Sequence, residues 1–402
     1  MKTKTRAMRQ GLLAGGIVLA FYVSPAAAEQ KFFIDASAGI DASTNPFLLN
    51  GGDTSAASAF VQLAPQFSIS DEVSKVTVDG ALRYNRYSRL YDGDLSGSAN
   101  VQAERSLSPL TTLRARASAR VSRNSAQDFL VGPSLGQPDQ GVPVLLPDVT
   151  FAGVRSRTTI FDASVGLEHQ LNARDRFNAA VATASTQFSA PGQRDYRYVT
   201  GDIGINRTLS ERTSAFAALR VGYSDFLAGK LDDGVVFEPT VGIRSQLNPR
   251  LSLDAGLGVS LSRINALGGR KDSRLGPAGR IALCETNAAS RNCLRLSRAS
   301  QPTATNGLTT VSTASVTRSQ TLGQFDQLVF NANYTRSSQS RTAGTGRSSD
   351  FLGGSVSYEH RFEQRFSLTV SPSYSRLVDS ISRQRSDIAV QVGIRYRFGS
   401  EG

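Results

Sequence analysis

The residues with the most chemistry in their spacing are three arginines in TTLRARASARVS: Arg114, Arg116 and Arg120, separated by even steps. Even steps place them on one face of an extended strand. Guanidinium groups in a row bind anions, as fixed cations with several donors each. Arg83 falls in the same phase on a neighbouring repeat, and Arg244, Arg395 and Arg397 do so elsewhere, with Glu238 and Asp254 among the carboxylates set against them. Acid–base chemistry is poorly supplied. The chain has two histidines, His169 and His360, each two residues ahead of a predicted turn, so a Ser-His-Asp arrangement has no suitably placed base. No catalytic residue is assigned, and the reading is not that of an enzyme. Cys284 and Cys293 are the only cysteines. With two histidines far away they make no metal-ligand set. No glycine-rich phosphate loop or cofactor signature occurs, so neither cofactor nor metal is expected.

The elements that must position these arginines are strands. In LSLDAGLGVSL, Leu251, Leu253, Ala255, Leu257, Val259 and Leu261 alternate with Ser252, Asp254, Gly256, Gly258 and Ser260. Leu113, Ala115, Ala117, Ala119 and Val121 likewise oppose the arginine face. A helix would scatter such charge around its surface. A unit of strand, tight polar turn and strand returns seven times, its turns led by Phe67, Leu107, Leu171, Leu209, Leu247, Leu322 and Phe362. Three of those leaders are spaced by 38 residues. Seven hairpins with one strand at each end predict sixteen strands. The connections fall into short turns and variable loops, of which 125–155 and 265–308 are the longest. Either long loop could enter a lumen. The second carries both cysteines and is expected to be an external basic surface with Arg280, Arg291, Arg295 and Arg298.

Residues 1–28 place this sheet outside the cytoplasm. Lys2, Lys4, Arg6 and Arg9 precede GLLAGGIVLAFYV and SPAAAEQ, the layout of a secretory signal cleaved after Ala28. Its removal takes four basic residues from the formal +12 and leaves +8. An oxidising compartment favours a local Cys284–Cys293 disulfide. The sequence pI near 10 alone suggests nucleic acid, but the arginines are dispersed by alternation and the chain is exported, so nucleic acid is excluded. Residues 29–402 then form one all-β unit. Because lipid offers no partner to backbone groups, a sheet spanning it must close. The prediction is an antiparallel up-and-down transmembrane barrel with apolar residues facing lipid and polar residues facing a cavity. Tyr84, Tyr87, Tyr196, Tyr198, Tyr223, Tyr334 and Tyr374 are expected to form a girdle at the loop end, and Phe67, Phe177, Phe362, Phe366, Tyr396 and Phe398 one at the turn end.

The whole chain after residue 28 resembles a Gram-negative, porin-like outer-membrane β-barrel protein. Its last strand, SDIAVQVGIRYRF with Tyr396 and Phe398, is similar to the C-terminal signal read by the barrel assembly machinery, although GSEG follows it. More loosely, the chain is similar to barrels of exopolysaccharide export clusters. The resemblance implies an outer-membrane pore or export channel for polar solutes, an anionic polysaccharide among them. Lipid, lipopolysaccharide and polysaccharide-export proteins are the implied partners. A display barrel whose loops bind an external polymer is the alternative.

Overall fold

The computed structural model describes residues 29–130, 145–146, 148–227, 233–265, 271–305, 307–338, 348–379 and 384–400. The predicted signal lies outside them. Eighteen strands, each paired antiparallel with the next, form one sheet. Closure is made by β1 (Glu29–Ser43) and β18 (Arg385–Ser400), paired from Phe32 opposite Ser400 to Ser43 opposite Ala389. A closed sheet leaves no free edge for lipid to meet. Between them run β2 (Ala56–Ser70), β3 (Ser74–Tyr87), β4 (Asp94–Ser108), β5 (Thr111–Ser122), β6 (Thr158–Gln170), β7 (Asp175–Phe188), β8 (Tyr196–Ser210) and β9 (Thr213–Phe226). The other wall is β10 (Gly234–Gln246), β11 (Leu251–Asn265), β12 (Lys271–Thr286), β13 (Ser290–Thr303), β14 (Gly307–Thr321), β15 (Asp326–Ser338), β16 (Ser348–Arg361) and β17 (Phe366–Asp379).

The count is two more than the sequence predicts, and both extra strands lie in 265–308. That segment is not a loop. It holds β12, a short turn at 287–289 and β13, and Cys284 sits directly opposite Cys293. The disulfide therefore links neighbouring strands of the wall. Arg280 contacts Asp254 and Phe216 on the inner face, and Arg291 and Arg295 line an inner cavity, so only Arg298 of the four remains on the outer face.

Alternation decides which face meets lipid. Ile40, Leu257 and Leu275 are 64%, 65% and 74% exposed, whereas Asp254 and Glu238 are 9% and 4% exposed. Val259 is exposed on the same face as Leu257. Exposed apolar rows such as Val221, Phe237, Leu261 and Leu275 run across neighbouring strands. This is the lipid belt of a transmembrane barrel, the reverse of a soluble core. Tyr396 and Phe398 stack edge to face at 4.7 Å on the outer face near the chain end. The loop-end girdle is smaller than the sequence predicts. Tyr84, Tyr223, Tyr334 and Tyr374 are exposed, but Tyr196 and Tyr198 are 4% and 6% exposed and point inward. Tyr87 also packs inward, against Phe47 and Tyr91.

The larger of two buried apolar clusters among the described residues lies where a barrel wall alone does not require one. Leu48, from 44–55, joins Ala126, Phe129, Val149, Phe151 and Ala152, from 123–157, in a cluster with the wall residues Phe351 and Leu377. A short helix, α1 (Ala126–Leu130), and one turn of 3-10 helix (Val149–Phe151) carry the middle of it. The cluster caps the lumen from within.

Candidate functional site

The seven arginines set in the predicted pore face, Arg83, Arg114, Arg116, Arg120, Arg244, Arg395 and Arg397, stand on lumen-facing positions, and the structure separates them by what they touch. Arg114 meets Glu104 at 3.3 Å and Glu168 at 3.1 Å. Arg120 meets Asp128 of α1 at 2.7 Å. Arg244 pairs with Asp254 at 3.0 Å, and Arg395 and Arg397 pair with Glu359 and Asp35 at 2.5 Å and 2.8 Å. Arg83 donates to Asn85 and lies 4.0 Å from the centre of the Phe60 ring. Arg116 differs. Among the described residues it makes no hydrogen bond or ion pair, and its Nε is shielded from solvent without a partner. A buried donor left unmade costs about 1–3 kcal/mol, so a ligand oxygen is the natural complement.

Arg116 lines a chamber of about 530 Å³ inside the barrel. One side is the inner wall from β2 to β9, with Arg83, Arg120, Arg220, Ser118 and Asp162; the cap closes it with Phe129, Leu146 and Phe151. Ser300 and Gln301, at the end of β13, complete the lining. Sequence reasoning missed Arg220, which meets Asp202 at 2.9 Å and Glu238 at 3.8 Å. Its phase, opposite Val221 and Tyr223, was the available signal. A second space of about 510 Å³ opens at the turn end, where Arg174, Arg176, Arg212, Arg244, Arg291 and Arg295 outnumber Asp175, Glu211 and Asp254. The disulfide borders it through Cys284.

The cap is held by polar contacts as well as by its apolar cluster. Arg385 donates from Nη1 to the carbonyls of Leu48 at 3.2 Å and Gly153 at 3.3 Å, while Nη2 pairs with Asp379. Gly153 has φ +78°, and a Cβ there would meet the Arg385 guanidinium. Asn333 donates to the Phe129 carbonyl at 3.0 Å. Asp148 accepts from Thr150 N, Thr150 Oγ1 and Ala304 N at 2.9, 2.7 and 2.7 Å. Burial outweighs those three bonds and pushes its carboxyl up to about 6. The folded chain thus holds this proton more tightly than the unfolded chain, whose carboxyl titrates near 3.8. This anchorage of the cap is most stable below about pH 4 and loses stability as pH rises through about 6. In bilayer recordings the open fraction should climb over that window, and the climb should vanish in Asp148→Asn.

His169 and His360 lie on outward positions near the turns. His169 Nδ1 is 2.8 Å from Thr111 Oγ1, and His360 Nδ1 is 2.7 Å from Asp326 Oδ1. Neither reaches the lumen.

A closed sheet with an apolar outside, a polar inside and short turns at one end defines a transmembrane β-barrel of the outer-membrane type. No family model matches the sequence, and no curated protein matches it. Among solved structures, the chain is similar to OccAB3 of Acinetobacter baumannii, at 10% identity and TM-score 0.47, covering 92% of this chain and 100% of that one. It is also similar to the outer membrane protein opdK of Pseudomonas aeruginosa, at 12% identity and TM-score 0.47, covering 93% and 99%. The FrpB iron transporter of Neisseria meningitidis matches at 7% identity and TM-score 0.44, covering 92% and 83%. At such identities no lumen residue is carried over from those proteins to this one.

Proposed function

We propose that this chain is an outer-membrane pore for small anionic solutes, which pass a lumen narrowed from the loop side by the cap. The observation that carries the reading is the unpaired guanidinium of Arg116 in the chamber wall. Carboxylates already neutralise Arg114, Arg120, Arg220 and Arg244, so those four brace the wall. Arg116 and Arg83 have no carboxylate partner within ion-pair distance, and they leave positive potential where a solute must pass. Low-dielectric walls focus such a potential and raise the local concentration of counter-ions.

Export of an anionic polysaccharide is a weaker reading, since a polymer would fit only with the cap displaced. Reversal potentials in a salt gradient test the proposal. The wild type should prefer anions, and Arg116→Glu should move the preference toward cations severalfold, with Arg114→Gln doing much less. Equal permeability of wild type and Arg116→Glu would remove the basis of the reading.

A further inference from the structure

Among the described residues, the seam between β12 and β13 is the one whose pairing stops well short of its loop. Between β12 and β13 the ladder stops at Gly279 opposite Arg298. Above that point β12 continues from Ala278 to Lys271, still paired with β11, and no described residue pairs with its other edge. Among the described residues, about 25 Å of this edge, at roughly 3.3 Å per residue, has no strand paired beside it. Its outward Leu275 lies in the exposed apolar row of Val221, Phe237 and Leu261, so part of that edge is at the level of the lipid belt. Backbone groups unpaired in lipid cost several kcal/mol each.

The missing partner is inside the lumen. The end of β13 and the start of β14 bend inward together, still paired with each other. Ser300 N donates to Glu238 Oε1 at 3.0 Å, and Ser300 Oγ is 2.9 Å from Ser260 Oγ on β11. Gln301 exchanges two bonds with the Leu146 backbone, and Ala304 N donates to Asp148. Leu308 covers Val236 and Ile264, two apolar residues that would otherwise face the aqueous lumen. The tip therefore has a purpose-built seat that narrows the pore.

It also has a place in the wall that no described strand fills. Continuing the register of Gly279 and Arg298 puts Ala278 opposite Ala299, Gly276 opposite Gln301 and Leu275 opposite Pro302. Pro302 and Leu308 are paired across the hairpin, and both would then face outward beside Leu275. Pro277 and Pro302 have no N–H to give, which weakens the ladder where it parts. We propose that the β13–β14 tip is a gate with two seats: the observed one in the lumen, and one in the wall that completes the β12 edge while freeing the chamber. The energies offset one another, because the side-chain and cap bonds of the first seat are exchanged for ladder bonds in the second.

The proposal rests on the pore reading for its functional meaning, and its test separates the two. Ala278 and Ala299 lie six residues from Cys284 and Cys293, on the same face and in the same kind of pair. Full-length Ala278→Cys/Ala299→Cys barrels, checked for folding by heat-modifiable migration, should form that second cross-link under mild oxidant, mapped by mass spectrometry. Their conductance should rise severalfold. Ser260→Cys/Ser300→Cys should trap the observed seat and abolish the larger openings. Free thiols at 278 and 299 in folded, oxidised barrels overturn the gate, as does unchanged conductance in both cross-linked forms when the wild type conducts. If every form is silent, the pore reading fails, and the cross-link at 278 and 299 still decides whether the wall seat exists.

Discussion

Replacing residues 125–155 by a short Gly-Ser bridge should raise single-channel conductance by about an order of magnitude, because a wall of this strand number encloses an aqueous channel when nothing fills it. The excision is feasible because the loop's ends already meet: Asn124 Nδ2 donates to Ser156 Oγ at 3.0 Å. It removes Phe129, Val149 and Phe151, which form the centre of the capping cluster. The wall should survive, since each of its seams is made by strand pairing outside this segment. An excised barrel that folds, inserts and still conducts like the wild type would show that the cap does not limit flow.

The second large effect is expected at Arg385. Its side chain is 8% exposed and joins two loops, through Leu48 and Gly153, to the end of β17 through Asp379. Arg385→Met keeps much of the volume but leaves Asp379 without this partner and two carbonyls with one donor fewer. Losing one partner of a buried pair costs about 3–5 kcal/mol. The cap, not the barrel, should absorb that loss. Limited proteolysis should cut within 123–157 many times faster than in the wild type, while the heat-modifiable migration of the barrel stays unchanged. Arg385→Met/Asp379→Asn should recover part of the protection, because the carboxylate that Arg385 neutralised is gone. Equal cleavage of wild type and Arg385→Met would place the cap's anchorage elsewhere, in the apolar cluster around Phe351.

The wall was legible because a two-residue period has one physical meaning when both faces have solvents of opposite kind. Leu257 in lipid and Asp254 in the lumen follow from alternation alone. β12 and β13 were hidden because their turn, Asn287 to Ala289, lacks the Leu or Phe that leads the other turns, and because Gly276, Pro277 and Gly279 blur the pattern. The error had chemical consequences. Arg280, Arg291 and Arg295, read as an external surface, face the lumen, and the disulfide moves from a loop to the wall. Tyr196 and Tyr198 were assigned to the lipid girdle although Val199, Ile203 and Ile205, in the opposite phase, are the outward residues of β8. The cap was only half visible. Sequence identified 125–155 as long enough to enter the lumen, but the partners of Phe129 and Phe151 come from 44–55, β16 and β17, which no local pattern connects. Most of the arginine face was readable, whereas the isolation of Arg116 required knowing where each carboxylate falls.

The place of the disulfide gives the parted seam a fixed lower limit. Cys284 and Cys293 join β12 and β13 below the last paired residues, near the turn. A covalent tie there acts like a rivet set ahead of a crack. However far the two strands separate toward the loops, they stay fastened at the turn end, so fraying at this one weak line does not propagate into an open sheet.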